Sequence, residues 1–166
     1  MAAARHSLQP IPEGYHAVTP CVVSRNTAQL IQFVKEAFGA EELSRLVDEK
    51  GNVTHAEVRI DDSVVMMFDG KESWQETPAF LRLYVRHADA MFQQALDAGA
   101  EAVTEMTDLP WGDRVGRVRD PLGNVWWIMT RLEEVPPSER VRRSRQPEYV
   151  RALHYVQSAE LVPLQS

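Results

Sequence analysis

Apolar residues recur at helical spacing in two stretches of the chain. Between residues 24 and 38, Leu30, Ile31, Val34, Ala37 and Phe38 fall on one side of a helical period, with Ser24 and Asn26 as candidate caps and Gly39 as the stop. Ala88, Met91, Phe92, Ala95 and Leu96 repeat the spacing, with Asp89 near the start and Gly99 at the stop. The pattern predicts two amphipathic helices. Both run out into the same phrase, Gly39-Ala40-Glu41 and Gly99-Ala100-Glu101, which points to an internal duplication.

Short β-prone runs flank each helix. Residues 18–23 and 80–85 precede the helices; residues 43–47, 53–60 and 64–68 follow the first, and 102–107, 115–119 and 125–130 the second. Turn chemistry separates them, including Asp48-Glu49-Lys50-Gly51-Asn52 and Asp120-Pro121-Leu122-Gly123-Asn124. The order is βαβββ twice, an α+β fold. One such sheet cannot bury both faces alone, so the modules, about 14–70 and 78–131, are expected to pack together as a single domain, 14–131. Residues 132–166 form a tail: Pro136-Pro137 breaks the chain, Arg140, Arg142, Arg143 and Arg145 cluster, and Tyr149, Val150, Leu153 and Val156 predict a short helix after Pro147 that packs on the domain or on a dimer partner.

Strand alternation sorts the candidate site residues. In residues 53–60 the apolar set Ala56, Val58 and Ile60 belongs against the helix, which leaves His55, Glu57 and Arg59 on the other face. In residues 80–85, Leu81, Leu83 and Val85 are the buried set, and Phe80, Arg82 and Tyr84 look the other way. Arg117 and Arg119 share a face with Val115, and Trp127 with Met129. The result is an aromatic pocket with several guanidinium groups, suited to an organic ligand with a flat or apolar part and an anionic part. The competing reading pairs the arginines with Glu57, Asp113 and Asp120 as structural ion pairs. His55 and Glu57, two residues apart, are either a general acid–base pair or a hydrogen-bonded structural feature. The stretch from Trp111 to Arg114 is either a lid over the pocket, with Gly112 and Gly116 as points of backbone freedom, or a tight connection; Trp111 and Arg114 join the candidate ligand-binding set.

Composition narrows the function. The 166 residues carry 18 Lys+Arg against 24 Asp+Glu, a formal charge of -6, which gives no general attraction to nucleic acid or anionic membrane. Cys21 is the single cysteine, so no internal disulfide and no Cys-clustered metal site is possible, and a reducing cytoplasm suits the chain. Its placement on the first strand makes it a buried, inert thiol by expectation. No run approaches the roughly 18 apolar residues of a membrane span. Nothing resembles a phosphate-binding glycine loop or a nucleophile elbow.

Two βαβββ modules with the Gly-Ala-Glu helix exit, followed by Trp111-Gly112-Asp113-Arg114 and Asp120-Pro121-Leu122-Gly123-Asn124-Val125-Trp126, resemble the vicinal oxygen chelate superfamily, the group of glyoxalases, bleomycin-resistance proteins and extradiol dioxygenases. Gly14-Tyr15-His16-Ala17-Val18-Thr19-Pro20 and His55-Ala56-Glu57-Val58-Arg59-Ile60 look most like its PhnB-like members. The resemblance implies curved mixed sheets around a shared cavity where substrate, and often a divalent metal, sits. It places the four usual ligand positions at about Thr19, Met66, Phe80 and Trp127, none of which is a usual metal ligand. The expectation is therefore a homodimeric small-molecule binding protein without metal or other cofactor. The alternatives are a superfamily lyase, isomerase or dioxygenase using a relocated metal or His55 and Glu57, and a scaffold acting through the arginine-rich tail.

Overall fold

The computed structural model describes residues 9–162. The first module runs β1 (Cys21–Ser24), α1 (Thr27–Phe38), β2 (Glu41–Val47), β3 (Val53–Ile60) and β4 (Ser63–Asp69). The second runs β5 (Phe80–Tyr84), α2 (Ala88–Asp97), β6 (Glu101–Asp108), β7 (Asp113–Arg119) and β8 (Val125–Arg131), and α3 (Pro137–Arg143) and α4 (Pro147–Ser158) follow. The two sheets have equivalent orders, β1-β4-β3-β2 and β5-β8-β7-β6, each with one parallel pair and two antiparallel pairs. This is the α+β architecture expected from the repeated βαβββ pattern, with the curved mixed sheets that the resemblance implied.

Local chemistry sets the helix ends. Asn26 caps α1 by accepting from the Gln29 amide at 3.1 Å, and Gly39 closes it at φ 66°, where a side chain would be strained. A carboxylate at the end of β4 fixes the helix to its sheet: Asp69 accepts from the amides of Thr27 and Val53, both at 2.7 Å. In the second module Thr130, near the end of β8, does the matching work, accepting from the Ala88 amide at 3.0 Å and donating to the Val85 carbonyl at 2.6 Å.

Both helices enter one core. Leu30, Ile31, Val34 and Phe38 from α1 join Phe92 and Ala95 from α2, with Trp126 and Ile128 from β8 beneath them. Phe38 meets Trp126 at 4.9 Å between ring centroids, so the modules are joined through their helix-covered faces. Gly116 belongs to this core and supplies no backbone freedom. A Cβ there would stand 2.5 Å from the Met106 sulfur and 2.7 Å from the Phe92 ring.

The tail forms two helices where one was expected. In α3 the arginines are satisfied locally: Arg142 and Arg143 bind Glu139, Arg143 also binds Glu133, and Arg140 donates to the Val135 carbonyl at 2.7 Å. Val156 of α4 is buried against Leu109, Val115, Val125, Trp127 and Met129, with Leu153 and, past the helix, Leu161 partly buried beside it. The helix thus lies on its own second sheet, on the face opposite α2. Val150, from the same predicted apolar stripe, stays half exposed.

Asp120 anchors the turn between β7 and β8. It accepts from the Leu122 and Asn124 amides, the Asn124 side chain and the Trp126 indole N–H at 2.8–3.0 Å. Burial pushes its carboxyl above the ordinary range while these donors oppose the shift. Asp120→Ala strands the buried indole N–H and amides, and should cost about 2–4 kcal/mol of unfolding free energy in a urea titration.

Candidate functional site

The register of the second sheet builds a cationic aromatic row. Arg82 on β5 and Arg117 on β7 both pair with Trp127 on β8, so the three side chains stand side by side on the face away from α2. The guanidinium carbons lie 5.6 Å (Arg82) and 5.0 Å (Arg117) from the indole centroid, and Phe80 meets the same ring edge-on at 5.9 Å. Tyr84 stands one row away and donates to the buried Asp113 at 2.9 Å, a carboxylate that also takes Arg131 at 3.4 Å. Trp111 lines the same pocket.

The charge of this row is left open. Among the described residues no carboxylate lies within 4.0 Å of Arg82 or Arg117. Burial, and then the neighbouring Arg82, lower the Arg117 pKa. The Arg117 Nε and Trp127 Nε1 atoms are buried without a hydrogen-bond partner. Arg117 donates instead to the Val156 carbonyl of α4, and Arg119 to the carbonyls of Glu160 and Leu161 at 3.1 and 3.2 Å. The space that remains between sheet and helix is about 220 Å³, with Leu153, Val156 and Gln157 as one wall.

The other predicted residues form a separate group on the first sheet. His55 and Glu57 approach at 3.2 Å, on the face of β3 turned from α1. Tyr15, ahead of β1, donates to Glu57 at 2.6 Å and Ser44 of β2 donates to it at 3.4 Å. The Tyr15 hydrogen bond, with lesser help from His55 and Ser44, holds the Glu57 carboxyl below its ordinary range against the opposing effect of burial. The same bond raises the Tyr15 phenol. A carboxylate so stabilised is a weak base and a good orienter of its neighbours. Sequence reasoning missed Tyr15 as a site residue, because its 42-residue separation from Glu57 leaves no periodic signal.

Four assignments change. Arg114 is one residue out of phase with Arg117; it lies on the α2 face, bound to Asp89 at 2.8 Å and Asp108 at 2.9 Å, and leaves the pocket set. The lid reading of residues 111–114 gives way to the tight connection. Asp113 and Arg114 already belong to β7, the Gly112 carbonyl accepts from Leu132 at 2.9 Å, and a Cβ at Gly112 would meet the Glu133 carbonyl at 2.4 Å. The ion pairs proposed for the arginines use other carboxylates, Arg59 with Glu41 at 3.4 Å and Arg119 with Glu101 at 3.7 Å. Cys21 is exposed on β1 rather than buried, with partial desolvation pushing its thiol up.

The residues at the four expected metal positions do not fit a metal. Thr19 already donates its hydroxyl to the His16 carbonyl, Met66 offers a thioether, and Phe80 packs against Trp127. Among the described residues no group of three or more His, Cys, Asp or Glu is placed to hold an ion. No described helix is long and apolar enough to cross a membrane.

Residues 16–128 match the sequence profile of the glyoxalase/bleomycin resistance protein/dioxygenase superfamily. An uncharacterized protein of Mycobacterium bovis is 39% identical over 134 residues, covering 74% of this chain and 88% of the relative. Among solved structures, TioX from Micromonospora sp. ML1 superposes with a TM-score of 0.59 at 23% identity, over 70% of this chain and all of that one. A PhnB protein from Bacillus cereus gives 0.55 at 17% identity, over 69% of this chain and 99% of that one. At these identities the two structures establish likeness of fold.

Folding lowers the Glu57 pKa, so this carboxylate contributes stability above the ordinary carboxylate range that is lost as pH falls through its folded value. Tyr15→Phe removes the leading cause. The Glu57 titration, followed by carboxyl NMR, should move upward, and the acid-unfolding midpoint should move to higher pH with it.

Proposed function

We propose, for a chain that belongs to the glyoxalase/bleomycin resistance protein/dioxygenase superfamily, that its second sheet binds an organic small molecule carrying a flat ring and an anionic group, and that it does so without a metal. The observation that carries this reading is the Arg82–Trp127–Arg117 row, two guanidinium groups without carboxylate partners on one indole. A planar ligand stacks on Trp127 or Phe80, and its carboxylate or phosphate takes the forked donors on either side. Arg59 on the first sheet, already shared with Glu41, is peripheral to this site.

A second reading, a lyase, isomerase or dioxygenase step drawn from His55 and Glu57, is favoured by their contact and by the Tyr15 and Ser44 hydrogen bonds that orient Glu57. In that reading Glu57 orients and His55 moves the proton, since Glu57 is held as a stable anion. Binding ranks first because no described hydrogen bond links the His55 group to the cationic row. Leu46 and Val47 on edge strand β2 are 62% and 58% exposed, which supports a homodimer that covers them.

Ligand titration by tryptophan fluorescence over a series of aromatic acids and their neutral analogues tests the site. Trp127→Ala should weaken binding of both kinds by about 1–3 kcal/mol, and Arg82→Ala should weaken the acids selectively by a similar amount. His55→Ala and Glu57→Ala should leave affinity within about threefold; a product formed by the wild-type chain and lost in either variant decides for the enzyme. Unchanged affinity in both Trp127→Ala and Arg82→Ala overturns the site. Protein purified without an affinity tag should carry far less than one divalent metal per chain and sediment as a dimer at micromolar concentration.

A further inference from the structure

We infer that α4 is a built-in competitor for the site on the second sheet, its last carbonyls standing where the anionic group of a ligand binds, so that ligand entry and α4 docking exclude one another. The inference rests on the binding reading above and adds how access to that site is controlled.

The arrangement of donors is the first support. Arg117 of the pocket gives an N–H to the Val156 carbonyl in the last turn of α4; Arg119, on the same face but outside the pocket and paired with Glu101, gives one Nη2 to the carbonyls of Glu160 and Leu161, just past the helix end at Ser158. The carboxyl end of a helix presents unpaired carbonyls with a partial negative charge, the closest thing a backbone offers to a carboxylate. A carbonyl is nevertheless a poor replacement for an anion. It carries only partial charge, and it leaves Arg117 Nε and Trp127 Nε1 buried with no acceptor at all. A ligand carboxylate would present two oxygens and a full charge to the same donors.

Space is the second support. With α4 in place the pocket holds about 220 Å³, below the roughly 300–1,000 Å³ usual for a small-molecule site. Leu153, Val156 and Gln157 of α4 supply one wall, and the sheet with Leu109 and Trp111 of the β6–β7 connection supplies the others, so undocking α4 would open the pocket on that side.

The third support is how lightly the helix is held. Val156 is its one buried residue; Val150 is 50% exposed and Tyr155 44% exposed. Beyond the arginine contacts, the bond that ties it to the sheet is the Glu105 amide of β6 donating to the Tyr155 hydroxyl at 2.9 Å. A helix seated by one fully buried side chain, two partly buried leucines and a few exposed or partly buried hydrogen bonds opens locally without unfolding the core between α1 and α2. Its docked fraction is therefore a quantity that an anion of ordinary affinity can shift.

The test uses the full chain and the probe 2-naphthoate, with neutral 2-naphthylmethanol as the control. Replacing both apolar contacts, Leu153→Ser with Val156→Ser, should raise hydrogen exchange along α4 and tighten naphthoate binding at least tenfold, while the alcohol gains less. In the wild-type chain, saturating naphthoate should raise exchange at the α4 amides. Tyr155→Phe, which removes only the tie to β6, keeps the test available if the double variant does not fold; it should tighten naphthoate two- to threefold. Raised α4 exchange with unchanged naphthoate affinity overturns the competition and leaves the binding reading standing, provided Trp127→Ala still weakens the probe. Naphthoate that slows α4 exchange makes the helix a cover over bound ligand and also overturns it. Absence of naphthoate binding in every variant removes both the binding reading and the inference built on it.

Discussion

Strand β8 is buried on both faces, and most of the molecule is arranged to make that possible. Trp126 and Ile128 point into the core shared by α1 and α2, while Val125, Trp127 and Met129 point to the other side, beneath α4. A strand between β5 and β7 with five successive buried residues needs cover above and below. The first cover comes from the duplication, because each module brings a helix to the same core. The second comes from the tail, which lies outside the duplicated unit.

That division separates stability from chemistry. The side of β8 facing the helices is apolar apart from the Trp126 indole N–H, which Asp120 satisfies, and the Thr130 hydroxyl near the strand's end, which is satisfied by Ala88 and Val85. The opposite side mixes apolar contacts with two guanidinium groups that have no carboxylate partners. Charge left uncompensated in a partly desolvated place is costly unless something binds there. The α4 carbonyls offset part of that cost, and the proposed ligand would offset more. The first sheet solves its own version of the problem differently, surrounding Glu57 with donors until the carboxylate is content as an anion.

One five-residue turn shows how much the surroundings decide. Asp48 to Asn52 and Asp120 to Asn124 make the same bonds: the aspartate accepts from the amides two and four residues on and from the asparagine side chain, with glycine at φ 86° in one and 89° in the other. The turns join different strand pairs, β2 to β3 and β7 to β8. On the surface these bonds lower the Asp48 pKa; in the core, burial outweighs the same bonds and raises that of Asp120.

Period and alternation in the sequence were enough to place both central helices, all eight strands and the facing of His55, Glu57, Arg82, Tyr84, Arg117 and Trp127, because those properties depend on neighbours one to four residues away. Phase alone would also have put Arg114 on the helix side; only its place in a loop-like phrase suggested otherwise. What sequence could not supply were pairings across long separations. Tyr15 reaches Glu57 from 42 residues away, Arg131 rather than a pocket arginine takes Asp113, and the register that sets Arg82 and Arg117 on either side of Trp127 exists only once β5, β8 and β7 are side by side. The stripe of Leu153 and Val156 announced an amphipathic helix but not the surface it would cover. That was decided by an apolar face of the second sheet that the duplicated module leaves without a helix, since burial is not directional and a stripe takes whichever matching surface the rest of the fold leaves within reach.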